Sequence, residues 1–135
     1  MNVILDTGPW VALIDKSESR HLECIRWFKG FYGNLYSSEA VFTEVLYLLN
    51  FSIEAQKAAF DFVLERVVEV IPADIDSMKH MKNLMVKYAD IPMDYADASL
   101  VCLAENAEIP DIATFDQKDF TIYRWSKNRK FNILP

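Results

Sequence analysis

Four acidic residues stand where an apolar segment meets its boundary: Asp6 in VILDTG, Glu44 in FTEVLYLL, Asp97 in YADASLV and Asp116 in IATFDQKDF. Asp6 and Asp116 follow short apolar runs that read as buried strands. Glu44 and Asp97 lie inside apolar helical patterns. Carboxylates are seldom fully buried unless a cation pairs with them or they hold a metal. Acids so placed gather cations, and a set of oxygen donors suits Mg²⁺ or Mn²⁺. Close carboxylates repel one another. A divalent ion relieves that repulsion, activates water and stabilises charge on a phosphoryl group. The chemistry implied is metal-dependent reaction at phosphate esters. A zinc site is not implied: neither His21 nor His80 has a ligand-like neighbour, and Cys24 and Cys102 lack zinc spacing.

Taken singly, each acid also has a plain reading. Asp6 and Asp116 fit turn or N-cap positions, Glu44 an exposed helical position, and Asp97 a partner for a nearby lysine. Asp94 lies one helical turn before Asp97 and shares its face. It either reaches the site or serves as an exposed first-turn acid, and the second role is slightly favoured.

Elements that would position these acids can be read from the pattern. Met1–Leu5 reads as a strand, with Pro9 in the first turn of a helix through Trp10–Asp15. A helix over Glu18–Phe31 uses Leu22, Ile25, Trp27 and Phe28 as apolar faces and ends at Gly30 and Gly33. Asn34–Tyr36 is a second strand. Ser37 or Ser38 caps a helix over Glu39–Leu49, and Ser52 caps another over Ile53–Arg66. Val67–Ile71 is a short β-branched strand. Ala73–Ala89 is an amphipathic helix presenting Ile75, Met78, Met81 and Met85, and Asp94–Asn106 is the next helix. Ile109–Phe115 and Phe131–Leu134 complete the strands, with one helical turn after the first of them carrying Asp116 and Asp119. Strands alternating with helices imply an α/β fold, a parallel sheet of four to five strands flanked by helices. Ligands of such sheets bind at the carboxyl ends of strands, where Asp6 and Asp116 fall.

The 135 residues fit a single domain, 1–135, and a composition 52% hydrophobic and 25% charged is that of a globular chain. Three glycines cannot build a phosphate-cradling loop, so P-loop and dinucleotide-binding readings fall away. The two cysteines read as reduced core thiols. No signal peptide and no membrane span is legible, so a cytoplasmic location is expected. The net charge of −6 argues against broad nucleic-acid binding. One stretch departs from it. Lys118, Arg124, Lys127, Arg129 and Lys130 are interleaved with Tyr123, Trp125 and Phe131, a pattern suited to RNA phosphates and unpaired bases. For the aromatics, packing on the core is an equal alternative.

Four segments together resemble the PIN-domain ribonucleases of the VapC-like toxin type: ILDTGPWVALID, SSEAVFTEVLYLL, MDYADASLVCLAE and IATFDQKDF, in that order across nearly the whole chain. The resemblance implies a doubly wound parallel sheet and a Mg²⁺- or Mn²⁺-dependent endoribonuclease leaving 5′-phosphate and 3′-hydroxyl ends. Asp6, Glu44, Asp97 and Asp116 match the family's catalytic acids, with the metal on Asp6, Asp97 and Asp116. Thr7 and Thr114 match hydroxyl positions that orient those carboxylates, and Asp119 a frequent further acid. Partners implied are substrate RNA, a cognate antitoxin and a second copy in a homodimer, with no membrane. The antitoxin would enter a groove where Leu46, Leu49, Phe51 and Phe60 are either partly exposed or plain core. His21 is expected to cap or sit at the surface.

Other readings are weaker. Retroviral-type aspartic proteases share Asp6-Thr7-Gly8 but are mostly β and glycine-rich. Haloacid-dehalogenase-type phosphatases want an aspartate where Gly8 stands. Receiver domains want an acidic pair after the first strand. A non-catalytic scaffold or interaction domain would be marked by loss of one acid, and all four are present.

Overall fold

The computed structural model describes residues 1–135. Five strands, β1 (Asn2–Leu5), β2 (Asn34–Ser38), β3 (Val68–Ile71), β4 (Asp111–Ala113) and β5 (Asn132–Leu134), form one sheet in the order β3-β2-β1-β4-β5. Every neighbouring pair is parallel, with Val3 opposite Leu35 and Leu5 opposite Ala113. The expected α/β class and parallel sheet are what the chain forms. β1 is the central strand, and Val3, Ile4 and Leu5 are all fully buried, as a parallel strand covered on both faces requires.

Seven helices flank the sheet: α1 (Thr7–Ile14), α2 (His21–Lys29), α3 (Glu39–Leu48), α4 (Ile53–Leu64), α5 (Ile75–Lys87), α6 (Tyr95–Ala107) and α7 (Gln117–Ile122). Their starts are written locally. Asp6, Ser38, Ser52, Asp74 and Asp94 each accept a backbone N–H in the first turn of the helix they precede. Of the two serines before α3, Ser38 is the cap. Ser37 instead donates to Leu5 O at 2.8 Å and stitches β2 to β1. Gly33 turns the chain into β2 at φ 149°, where a Cβ would fall 1.9 Å from Met1 O.

The chain winds outward from β1 to β2 and β3, then returns to the other side of β1 for β4 and β5. The reversal opens a crevice between the carboxyl ends of β1 and β4. α6 matters most to that crevice. Ala96 through Ala104 are all buried, so this helix passes through the core rather than along the surface. Alanines and Ser99 let it lie close to the sheet.

Three sequence expectations shift. The helical turn expected after β4 extends into α7, six residues long, anchored by buried Phe120. Ile75 and Met78, expected on the inner face of α5, are exposed, because α5 touches the core through Met81 and Leu84 further along. Leu22 is likewise exposed, since only Cys24 of α2 is fully buried. Both cysteines are buried free thiols. No helix is long and apolar enough to cross a membrane.

Candidate active site

Asp6 caps α1 directly after β1. Its Oδ1 accepts from Thr7 N at 2.8 Å and its Oδ2 from the Thr114 hydroxyl at 2.7 Å. Thr114 follows β4, so this bond spans the crevice between two strand ends. The same hydroxyl accepts from Asp116 N at 3.0 Å, setting the backbone that carries the next acid. Thr7 donates its hydroxyl to Glu44 Oε1 at 2.8 Å, tying α3 to the start of α1. Both threonines thus hold carboxylates that the sequence assigned to the site. Gly8 permits the close approach behind them: a Cβ there would sit 2.6 Å from Phe115 Cδ2. Phe115 in turn lies under the Arg20 guanidinium, 4.0 Å from the ring centroid.

Asp97 enters from α6. Asp94 and Asp97 form a capping box: Asp94 Oδ1 accepts from Asp97 N at 2.8 Å, and Asp97 Oδ2 accepts from Asp94 N at 3.3 Å. Asp94 is therefore an exposed N-cap, close to the plainer role the sequence favoured, yet its charge still acts on Asp97. The Tyr123 hydroxyl donates to Asp97 Oδ2 at 3.3 Å. Sequence reading missed this contact because it left Tyr123 open between RNA and the core and named no partner for its hydroxyl. It also missed the buried hydroxyl pair Ser38–Ser99, 2.7 Å apart, which joins the start of α3 to α6. A serine at one helix cap and another on an otherwise apolar helix was the available signal.

The charges are uncompensated. No lysine, arginine or histidine makes an ion pair with Asp6, Glu44, Asp97 or Asp116. Burial pushes the Asp6 carboxyl up to about 6, despite the Thr114 and Thr7 bonds that favour its charged form; Asp116 and Glu44 raise it further. Burial also pushes Asp97 up to about 8, with Asp94, Asp6 and Asp116 adding repulsion. Asp116 is raised by desolvation and by Asp119 and Asp94. Tyr123 is raised by burial and then by Asp97, so its hydroxyl stays a donor. The donor set fits a hard divalent cation in chemical type and in its mutual repulsion. It is not a closed cage: no three Asp, Glu, His or Cys side chains cluster tightly enough to hold an ion as they stand. The Asp116 carboxylate caps nothing and is exposed.

Asp119 lies half-buried in the first turn of α7, one turn beyond Asp116. Asp116→Asn is expected to impair metal-dependent cleavage more than Asp119→Asn, measured as kcat/KM at fixed Mn²⁺. The reverse ranking would overturn the order of these two acids.

The C-terminal aromatics pack inward. Tyr123, Trp125 and Phe131 are buried and so are not open faces for bases. Phe120 and Phe131 meet edge to face at 5.4 Å. Lys118, Lys127, Arg129 and Lys130 are exposed, and Arg124 is half-buried. Of the expected groove residues, Leu49, the C-cap of α3, belongs to the core at 0% exposure, and Leu46 in the last turn of α3 is half-buried against it. Phe51 and Phe60 are exposed, beside Tyr47 and Leu48. His21 Nδ1 bonds Ala12 O at 2.6 Å at the end of α1, a capping contact.

A PIN-domain family model matches residues 3–125. Among solved structures the chain is similar to VapC20 of Mycobacterium tuberculosis, a sarcin–ricin loop cleaving toxin, with 23% identity, a TM-score of 0.78, and 85% of this chain and 90% of that one covered. VapBC2 from Rickettsia felis, bound to a DNA fragment from its promoter, aligns over 100% of both chains at 18% identity and a TM-score of 0.69. A toxin–antitoxin complex from Klebsiella pneumoniae aligns over 89% of this chain and 91% of that one at 18% identity and a TM-score of 0.66. At these identities the likeness shows a shared fold. No curated protein matches the chain by sequence.

Proposed function

The chain belongs to the PIN-domain family, and from that premise we propose that it is a metal-dependent endoribonuclease, the toxin half of a toxin–antitoxin pair. One observation carries the reading: Asp6 before α1, Glu44 on α3, Asp97 on α6 and Asp116 before α7 lie near enough for Asp116 and Glu44 to repel Asp6 and for Asp6 and Asp116 to repel Asp97, with no cation against them. Desolvating carboxylates that also repel one another works against folding. A scaffold would gain nothing from it, whereas a site for a divalent ion and a phosphodiester requires it. The solved structures of similar fold support the toxin assignment, since VapC20 is described as a sarcin–ricin loop cleaving toxin and others as toxin–antitoxin complexes.

Asp6, Asp97 and Asp116 would hold Mg²⁺ or Mn²⁺. Such an ion supplies activation of water at neutral pH and stabilisation of charge on the phosphoryl oxygens. The chain's own residues do the positioning. Thr114 fixes Asp6 and, through the Asp116 amide, the backbone after β4. Tyr123 and the Asp94 amide orient Asp97. Thr7 occupies one oxygen of Glu44 and leaves the other for a water, a proton or substrate. Asp119 adds negative charge beside Asp116. The exposed Tyr47, Leu48, Phe51 and Phe60 supply apolar surface for an antitoxin.

Expression of the chain alone should arrest growth of its host, and co-expression of the neighbouring gene product should relieve the arrest. Harmless expression of a preparation that cleaves RNA in vitro would remove the toxin role while leaving the nuclease.

A further inference from the structure

We infer that the cleft between α5 and the turn at residues 124–128 is a second binding site, one that holds the phosphate backbone of single-stranded RNA outside the acid crevice. The inference rests on the nuclease reading for the identity of its ligand, and on charge and shape for its place.

The cleft has a volume of about 230 Å³ and is lined by Lys87 and Asn83 from α5, by Glu105 from α6, and by Arg124, Lys127 and Asn128 from the turn. Lys87, Arg124 and Lys127 make no ion pair anywhere in the protein. Arg124, Lys127 and Lys87, the last 5.1 Å from the Tyr88 ring centroid, put three cations without an ion-pair partner around one concavity on a chain of net charge −6. The single acid lining the cleft is already engaged. Glu105 Oε1 accepts from Ser126 N at 3.2 Å, and its Oε2 faces His80 Nε2.

The geometry also sorts the basic residues of this stretch. Arg124 Nη1 donates to Thr121 O, Ile122 O and Tyr123 O, closing the end of α7; Nε and Nη2 remain for a ligand. Arg129 lies over the Trp125 ring, 5.1 Å from its centroid, and leaves the cleft to Lys127. Lys127 and Asn128 are held at φ 56° and 65° in a turn clamped by the paired Trp125 and Arg129 backbones, at 2.8 and 3.0 Å. The backbone that carries them is therefore set before any ligand arrives. Lys87, from a helix far away in sequence, completes the wall.

The site adjoins the acid crevice. Arg124 follows Tyr123, whose hydroxyl is on Asp97, and Arg124 N donates to Tyr88 OH at 3.0 Å. Along α6, Glu105 is two turns from Asp97, about 12 Å. Lysines as point charges, an arginine edge and carboxamides suit phosphate and ribose oxygens. Leu84 and Trp125 are the two apolar residues of the lining, and single-stranded RNA rather than an acidic peptide is the ligand that the nuclease reading supplies.

The test measures binding of a fluorescent single-stranded RNA in EDTA, where cleavage is off, across a salt series. Lys87→Gln with Lys127→Gln should weaken binding about tenfold and reduce the slope of log affinity against log salt by about 1.4, the value for two phosphate contacts on a single strand. Lys57→Gln on α4 should change neither. With Mn²⁺, the double variant should show a raised KM and an unchanged kcat. Wild-type affinity and slope in the double variant would overturn the inference and leave the nuclease reading intact. Equal competition by duplex DNA or polyglutamate would also overturn it. A wild type that neither binds nor cleaves RNA would remove both.

Discussion

Asp6→Asn should leave a folded protein that cleaves RNA at least about a thousandfold more slowly, the scale expected when a metal-holding or proton-handling carboxylate is lost. The fold should survive for a local reason. Asn is as good an N-cap as Asp, so the bond from Thr7 N persists. Thr114 must reverse its role, because an amide nitrogen now faces its hydroxyl in place of Oδ2. Against that stands a gain, since a buried charge repelled by Asp116 and Glu44 disappears. The melting temperature of the metal-free variant should equal or exceed that of the wild type near neutral pH. The decisive measurement is kcat/KM on a cleavable RNA with Mn²⁺, together with the same assay on wild type in EDTA. A variant that cleaves normally, or cleavage that survives EDTA, would falsify the metal-site assignment.

The metal-free protein should lose stability as pH rises from about 4 to about 8. Asp6 and Asp97 have folded-state values raised to about 6 and about 8, above their ordinary 3.8. In that window the folded state binds more protons than the unfolded one, so each step up in pH favours unfolding. Asp6 alone contributes roughly 3 kcal/mol across its interval. Asp97 acts in the same direction and extends the decline toward pH 8. This is the opposite of a salt-bridged carboxylate, which stabilises at high pH. A divalent ion should reverse the trend, because it binds the ionised acids: Mn²⁺ at a hundred times its dissociation constant would add about 2.7 kcal/mol. Melting temperatures at pH 5.5 and 8.5, with and without Mn²⁺, check both parts. The metal-free value should fall between the two pH values, and Mn²⁺ should recover it at pH 8.5. A variant lacking both Asp6 and Asp116 should show little of the Mn²⁺ effect while keeping the part of the pH decline that burial and Asp94 impose on Asp97. Equal Mn²⁺ shifts in wild type and variant would place the ions elsewhere.

The two experiments separate cleanly. The first asks whether the acids perform chemistry, and the second whether they converge. A protein that showed the pH effect without cleavage would keep its acidic crevice and lose its activity assignment.

Much of the fold was legible because its signals are local. NVIL and VEVI are short apolar or β-branched runs, and Ser38 and Ser52 are caps readable within four residues. Strand-helix alternation then leaves few topologies, and the carboxyl ends of strands locate the crevice. Asp6 and Asp116 could therefore be placed before any coordinates. The errors fall where exposure depends on how far an element reaches across its neighbour. Met78 and Leu49 have the same apolar character and similar helical spacing. Met78 is exposed because α5 packs through its later turns, whereas Leu49, the C-cap of α3 that the sequence left open between core and groove, is fully buried in the core.

By itself the sequence determined the element types, the parallel α/β class and the four acids available for chemistry, since these follow from side-chain periodicity, caps and residue type. Tertiary structure alone decided how those acids behave. Asp6 meets Thr114 across 108 positions, and Asp97 meets Tyr123 across 26. α6 runs through the interior, so the same aspartate that would be ordinary on a surface helix is desolvated and repelled here. Tyr123, Trp125 and Phe131, which composition alone leaves equally fit for RNA or for the core, fill the space beneath α7. The physical reason is the range of the forces. Periodicity and capping act within a few residues, whereas desolvation and repulsion depend on which distant segments exclude water from the same few ångströms.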